Sequence, residues 1–400
     1  MSTEPLLRLG IIGLGRAFML MLPTLANHPK LRLVAATDPR PEARRRFAEE
    51  FDARTYETVE ALAADPDIDA VYIASPHQFH VAQVELVARA GKHILVEKPM
   101  ALTIADCQAM NAAARAAGVY LMVGHSHSFD GPIAQARRLI ESGAYGPARM
   151  ITALNFTDFL YRPRRPEELV TAEGGGVVFS QAAHQVDIVR LLGGGRVKSV
   201  RAQTGAWDPA RPTEGAYSAL LTFEDGAFAT LTYSGYGHYD TDETVGWIGE
   251  TGQPRDPARY GTARAALARI QSAAEEAALK ETRTYGAPAS LKAAALPADG
   301  VRHHHHFGQI IVSCARADLR PTADGVHVYG DATSRFEPLP PPAVPRQEVV
   351  DELYRAAIQG IPPVHSGAWG MATLEVCLAI LQSAQEGREI QLAHQVAIGE

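Results

Sequence analysis

The chain has 400 residues, 46% hydrophobic and 21% charged; at ~150 residues per domain this is room for two or three globular domains whose cores need no disulfides. A formal net charge of −7, with no basic run long enough to track a phosphate backbone, argues against nucleic acid as a partner. No apolar run approaches the ~20 residues of a membrane span, and Met1–Gly10 is too short and polar for a signal peptide, so a cytoplasmic protein with no membrane partner is expected. Cys107, Cys314 and Cys377 are too scattered for a disulfide framework or a structural zinc site, and read as reduced thiols in a chain without a metal.

From residue 7 to about 125, short apolar runs alternate with amphipathic stretches. Leu7–Ile12, Leu31–Thr37, Ala70–Ala74, His93–Val96 and Tyr120–Val123 lack polar alternation and read as strands buried on both faces. Between them Ala17–Ala26, Pro41–Phe51, Val59–Ala63, Gln78–Ala90 and Ile104–Ala117 read as helices. Right-handed βαβ crossovers then make residues 1–125 an α/β domain with a parallel, doubly wound sheet that binds ligands at the carboxyl ends of its strands.

Past residue 145 the pattern changes. Arg149–Phe156, Val197–Ala206, Tyr217–Phe223 and Ala227–Tyr233 alternate partially, and Glu224-Asp225-Gly226 is a hairpin signal, so residues 126–400 are expected to form an α+β domain around an open, mostly antiparallel sheet. Gln185–Leu192 reads as a helix within it. Asp256–Glu281 reads as an Ala-rich helical insertion near 252–300, between turn-like flanks at Gly252-Gln253-Pro254 and Gly286–Pro288, and is expected to sit outside the core. Phe307–Cys314 is a further strand and Leu339–Pro345 a proline-rich connector; Gln347–Gln359 and Gly367–Glu386 are two last helices, able to pack back on the first domain.

The first chemical motif runs from Gly10 to Phe18. Gly13 permits a tight turn, and Gly15 lets the backbone approach a pyrophosphate at the N-terminus of a helix opened by Arg16. Phe18 stands where the pattern G-x-G-x-x-G has its third glycine. Asp38 ends the second strand at the distance where a carboxylate accepts from adenosine ribose hydroxyls, and it repels a 2′-phosphate. Arg40 can offset that repulsion, so NAD is favoured as cofactor with NADP as the alternative. Taken alone, Asp38 also suits the first position of an Asp-Pro turn.

The second motif is Glu97-Lys98-Pro99. Pro99 ends the strand ladder and leaves Lys98 at the carboxyl edge, where its ammonium can orient a substrate oxygen; a solvated strand-end lysine is the alternative. The third is Gly174-Gly175-Gly176 followed by His184-Gln185-Val186-Asp187, which puts His184 and Asp187 on one helical face. A histidine titrating near neutrality suits an alcohol-to-ketone proton transfer; alone, it suits a core or capping position as well.

These features, with Ser75-Pro76-His77-Gln78-Phe79-His80, occur in the order and spacing of the Gfo/Idh/MocA family (glucose-fructose oxidoreductase, inositol dehydrogenase and MocA-like proteins), which the chain resembles over nearly its whole length. The resemblance implies a Rossmann domain for NAD(P) with Ser75, His77, His80 and Glu97 beside the cofactor. It also implies a C-terminal sheet domain closing over the nicotinamide, a homo-oligomer packed through that sheet, Lys98 as the active-site lysine and His184 as the acid/base. Three departures stand out: Ser180 replaces the family's Asp four residues before the His, His77 replaces an Asn, and Ser126-His127-Ser128-Phe129 replaces Asn-Arg-Arg-Phe. A sugar or polyol pocket uses the groups lost.

What stands in their place is basic and aromatic. The stretch Phe156–Pro166 carries Tyr161, Arg162, Arg164 and Arg165 on a loop fixed by its prolines. Guanidinium forks bind carboxylates bidentately, and surface pairing with Glu167 and Glu168 is the equal alternative. With Gln181-Ala182-Ala183-His184-Gln185, the stretch is similar to the phthalate 4,5-cis-dihydrodiol dehydrogenase branch of the family. That likeness implies oxidation of a carboxylated cyclohexadiene diol by hydride transfer, with Arg162, Arg164, Arg165, Tyr161, His127 and Asp187 facing the substrate. A polyol dehydrogenase is the alternative within the family. A non-catalytic dinucleotide-binding regulator is the alternative outside it, although such a protein has no need of Lys98 and His184 together. The tract His303–His306 precedes a strand, where successive side chains alternate sides, so a metal-dependent hydrolase is the weakest reading and one of these histidines is better placed to line the pocket.

Overall fold

The computed structural model describes residues 4–124, 126–287, 296 and 303–400. The first domain is built from β1 (Leu7–Ile12), α1 (Arg16–Asn27), β2 (Leu31–Thr37), α2 (Pro41–Phe51), β3 (Arg54–Tyr56), α3 (Val59–Ala63), β4 (Ala70–Ile73), α4 (His80–Arg89), β5 (His93–Val96), α5 (Ile104–Ala117) and β6 (Leu121–Val123). Its six strands are parallel in the order β3-β2-β1-β4-β5-β6. The unbroken apolar runs have their cause in this layering. Leu7, Leu9 and Ile11 enter the core under α1 and α2, whereas Ile12, Val71 and Ile73 enter the opposite core under α3, α4 and α5. Only β3 escaped the sequence reading; it is a three-residue edge strand, Arg-Thr-Tyr, that buries no complete residue.

The second domain contains α6 (Gly131–Glu141), β7 (Ala148–Phe156), α7 (Ala183–Gly193), β8 (Val197–Gly205), β9 (Ala216–Phe223), β10 (Phe228–Ser234), α8 (Thr262–Leu267), α9 (Ala273–Glu281), β11 (Gln309–Cys314), β12 (Ala317–Thr322), β13 (Gly325–Gly330), β14 (Ser334–Pro338), α10 (Gln347–Gln359), α11 (Gly367–Glu386) and β15 (Ile390–Gln391). The sheet order is β14-β13-β12-β11-β7-β10-β9-β8-β15. Every neighbouring pair is antiparallel except β7 with β10, so the expected open, mostly antiparallel sheet is present. The three strands β12–β14 were not expected; Asp318, Arg320, Pro321 and His327 break the apolar runs that would announce them.

The insertion differs from its expected form. It is a short turn at Pro257–Arg259, then α8, then α9, which restarts at Ser272 where the side chain accepts from the Glu275 N–H (3.1 Å). Nor does it stay outside the core, because Tyr285 is fully buried among Phe18, Phe47 and the rest of the α1–α2 core. Residues 288–295 and 297–302, with the Pro288 flank, lie outside the described residues. Helix α10 buries Val349, Val350, Leu353 and Tyr354 in the core of the first domain. Helix α11 packs against α5 and β6 on one side and α7 and β8 on the other. The two domains therefore meet along a cleft at the carboxyl ends of β1, β4 and β5.

Candidate active site

The glycine turn fits a dinucleotide. Gly13 has φ +90°, and a Cβ there would come within 2.9 Å of the Ser75 backbone nitrogen, so only glycine lets β1 turn this tightly against β4. A Cβ on Gly15 would meet nothing within 4 Å; its backbone is open to a close-lying pyrophosphate. No side chain caps α1, which leaves the N–H groups of its first turn to an anion. Asp38 is buried at the end of β2 and accepts from Leu14 N (2.7 Å), Arg40 N (2.9 Å) and Arg40 Nε (2.8 Å). It thus fastens the glycine turn and also makes the bland Asp-Pro turn. NAD at ~100 times its dissociation constant is expected to add ~2.7 kcal/mol to stability, read as a rise in Tm; millimolar NAD that leaves Tm unmoved refutes a native-state site here.

Two residues expected beside the cofactor are used elsewhere. The Phe18 ring lies fully buried against Phe47 and Tyr285, on the helix side of the turn. His80 is buried and bridges Ser75 O (3.0 Å) and Met100 O (3.1 Å), stapling the loop after β4 to the loop after β5. Ser75 donates to Gln83 Oε1 (2.5 Å), and Arg16 stands exposed at the start of α1. His77 packs on Gly174, whose Cβ would lie 2.9 Å from the ring, so it joins the two domains at the cleft edge. Glu97 is buried, accepting from the Tyr72 hydroxyl and from Lys98 N (3.3 Å).

Lys98 reaches across the cleft and donates to the Ser180 carbonyl (2.8 Å). That carbonyl is available because Val178–Ala182 forms a wide π-turn leading into α7, a geometry that leaves carbonyls offset from the helical ladder. Gly176, at φ +82°, makes the entry to this turn: a Cβ would strike the Glu214 carboxylate at 2.0 Å, and that carboxylate accepts from Val178 N (3.1 Å). Burial lowers the Lys98 pKa, partly offset by Glu97 and Glu250. The family's Asp is missing at Ser180, and a main-chain oxygen there holds the lysine.

One turn further on, His184 is buried with its ring 4.9 Å from His127 and 5.2 Å from Phe307. Phe307, just before β11, stacks on Tyr233 of β10 and Tyr233 on Tyr217 of β9, an aromatic bed that carries α7. Tyr217 donates to Gln185 Oε1 (2.7 Å) and Tyr233 to Gln181 Oε1 (3.2 Å), which fixes the rotation of the helix presenting His184.

Sequence reasoning missed Glu250 and Asp130. His127 meets Asp130 through Nδ1 (2.7 Å) and Glu250 through Nε2 (3.3 Å). Burial alone would lower the His127 pKa, but the two carboxylates carry it up to about 9. His127 therefore stands beside His184 as an imidazolium at neutral pH. The raised pKa fixes the sign of its linkage: the pairing stabilises fully below the unfolded value of ~6.5 and fades as pH rises through about 9. His127→Gln is expected to cost on the order of a few kcal/mol near pH 6 and far less near pH 10, measured as Tm against wild type. A gap that does not shrink with pH would show that the ion pairs are not the cause.

The remaining substrate-facing candidates divide. Asp187 is a buried hub: one oxygen accepts from Trp369 and Thr373 of α11 (3.1 Å for Thr373) and the other from Ser128, so it ties α7 to α11 and to the 127–129 turn beside the pocket that Lys98 also lines. Arg165 turns outward to Glu167 (3.8 Å) and Glu281 (3.5 Å). Arg164 lies over the Phe159 ring (3.5 Å) and donates to the Phe159 carbonyl (2.7 Å), with Glu168 at 3.9 Å. Tyr161 is covered by Arg264 (3.9 Å). Arg162, held by Asp158 (3.0 Å), lines a cleft with Asn155, Thr157, Glu250 and His306. Of the histidine tract, His306 shares that cleft, and among the described residues no group of His, Cys, Asp or Glu is arranged to hold a metal ion. Also among the described residues, no helix is long and apolar enough to cross a membrane.

A glycine turn ending the first strand of a doubly wound sheet, with a half-buried lysine and an imidazole pair across the cleft, defines a nicotinamide-dependent oxidoreductase. The chain belongs to the Gfo/Idh/MocA family: residues 7–125 match its oxidoreductase domain with the NAD-binding Rossmann fold, and residues 133–254 match the Gfo/Idh/MocA C-terminal domain. It is 49% identical over 380 residues, 95% of either chain, to 1-carboxy-3-chloro-3,4-dihydroxycyclohexa-1,5-diene dehydrogenase of Comamonas testosteroni. It is 29% identical to inositol 2-dehydrogenase of Rhizobium meliloti over 61% of this chain and 74% of that one. A solved putative dehydrogenase from Bordetella bronchiseptica superposes with a TM-score of 0.90 at 41% identity, covering 97% of this chain and 100% of the other.

Proposed function

We propose that this NAD-dependent oxidoreductase dehydrogenates a carboxylated cyclohexadiene cis-diol, the class to which phthalate dihydrodiols belong, to the dihydroxy-aromatic product. The observation that carries the reading is Arg162, which of the three loop arginines is the one lining the cleft beside Glu250 and the sheet. The Comamonas relative's name describes a ring with one carboxyl and two vicinal hydroxyls, and one guanidinium fork answers one carboxylate. Arg164 and Arg165, engaged elsewhere, favour a ring with a single carboxylate over the dicarboxylated phthalate type.

Bound NAD supplies the hydride acceptor. The protein's part is to position, polarise and take up a proton. Lys98 orients the carbinol oxygen, and His184 accepts the hydroxyl proton as the carbinol C–H bond gives up its hydride. The cationic His127 beside it, neutralised by Asp130 and Glu250, sets the field in which His184 works. The hydroxyketone product gains aromaticity by moving its ring proton to oxygen, so no second oxidant is needed.

Purified protein with NAD is expected to form reduced nicotinamide, seen by absorbance, with carboxylated cis-dihydrodiols and far more slowly with inositols or sugars. Turnover of polyols with none of dihydrodiols would overturn the reading in favour of a polyol dehydrogenase. The homo-oligomer belongs to the same proposal: Met150, Leu220, Phe228, Tyr329 and Phe336 stand exposed on strands of the nine-stranded sheet, an apolar surface of the kind that mates between copies. A solution mass equal to one chain would refute it.

A further inference from the structure

The insertion between β10 and β11 reaches back to the adenosine end of the dinucleotide site. α9 ends at Glu281, and the turn that follows carries Thr284 and Tyr285 onto the first domain. Tyr285 N donates to the Leu14 carbonyl (3.2 Å), inside the glycine turn itself. The Tyr285 ring is fully buried, edge-on to Phe18 (5.4 Å) and Phe47 (6.3 Å) and under the Arg46 guanidinium (4.8 Å), and its hydroxyl donates to Glu50 (2.6 Å). Gly286 lies against Ala43 at the start of α2; a Cβ there would come within 3.3 Å of the Ala43 Cα. The turn is thus anchored by its own packing and does not depend on the residue it holds.

That residue is Arg40. A guanidinium has five N–H donors, and here each has an acceptor. Nε donates to Asp38 Oδ1 (2.8 Å); Nη2 donates to Asp38 Oδ2 (3.1 Å) and Leu14 O (2.9 Å); Nη1 donates to Thr284 Oγ1 (2.8 Å) and Tyr285 O (3.1 Å). Thr284 Oγ1 spends its own proton on Glu281 O (2.8 Å), so its lone pair is what Arg40 meets. Two of the five acceptors come from the insertion. An arginine just after the second strand is placed to receive an adenosine 2′-phosphate, yet this one has no donor left, and the carboxylate it covers carries the phosphate's own sign.

We infer that the turn at residues 284–286 is a specificity element of the adenosine site: by locking Arg40 onto Asp38 it makes the site select NAD against NADP. The inference concerns the cofactor alone and stands or falls independently of the proposed substrate. Its test is calorimetric titration of the full chain with NAD and with NADP, for wild type, Thr284→Val and Arg40→Ala, with Tm recorded to confirm folding. Wild type is expected to bind NAD at least roughly ten-fold more tightly than NADP. Thr284→Val keeps the side-chain volume and frees a donor on Arg40, so it should narrow that gap several-fold, since a hydrogen bond from a charged donor is worth roughly a ten-fold change or more. Arg40→Ala should not weaken NADP relative to NAD. An unchanged preference in Thr284→Val, or a selective loss of NADP binding in Arg40→Ala, would overturn the lock, because Arg40 would then be reaching the phosphate in spite of the turn.

Discussion

Lys98→Ala and His184→Ala are each expected to lower turnover by roughly 10²–10⁴-fold, the usual contribution of a group that moves or polarises a proton in the transition state, while NAD affinity stays close to wild type. Lys98 has the attributes of such a group. It is held at one atom by the Ser180 carbonyl, in a site where burial lowers its pKa, so its ammonium should lose its proton below the ordinary lysine range. The alkaline limb of kcat/KM is accordingly expected at a lower pH than a solvated lysine would give. Removing Lys98 still leaves the Ser180 carbonyl a donor in Gln181 Nε2 (3.1 Å), so little stability should be lost with it; a Tm measured alongside the kinetics separates any structural loss from the chemical one. His184→Ala keeps the Lys98 contact and tests the imidazole alone. Wild-type turnover in either variant would remove that residue from the mechanism.

How much of this was legible before the structure follows from how local each feature is. The doubly wound sheet was readable because burial on both faces leaves unbroken runs such as Leu9–Ile12, and the turn because glycine at Gly13 is the one residue that accepts φ +90°. Lys98 and His184 were placed by motifs at element ends, where the backbone fixes position. Asp187 shows the limit of such reasoning. The helical face was right, but what meets that face is Trp369 and Thr373 of α11, some 180 residues on, and no spacing rule reaches that far. Glu250 was invisible for the same reason, since its partner His127 lies 123 positions away. Tyr285 was hidden differently: an Ala-rich insertion between turn residues looks like a surface excursion, and only the aromatic gap between Phe18 and Phe47 gives the tyrosine a core to enter.

The loop arginines carry the second large effect. Arg162→Ala is expected to raise KM for a carboxylated cis-dihydrodiol roughly ten- to a hundred-fold, the equivalent of ~1.5–3 kcal/mol for a charge-assisted hydrogen bond, and to leave KM for the same ring without a carboxylate nearly unchanged. Lys at this position should recover only part of the loss, because an ammonium is a point charge without the planar fork. Arg164 and Arg165 give the contrast. Arg165 faces Glu167 and Glu281 at the surface, where such pairs are worth under ~1 kcal/mol, so Arg165→Ala should be kinetically silent. Arg164 packs on Phe159 and donates to its carbonyl; its removal should loosen the loop and lower Tm, with no dependence on the charge of the substrate. The double comparison, three variants against two rings, is what identifies a clamp. If Arg162→Ala affects both rings alike, the arginine supports the cleft and does not read the carboxylate; if all three variants are flat, the carboxylated diol gives way to a neutral polyol as the substrate.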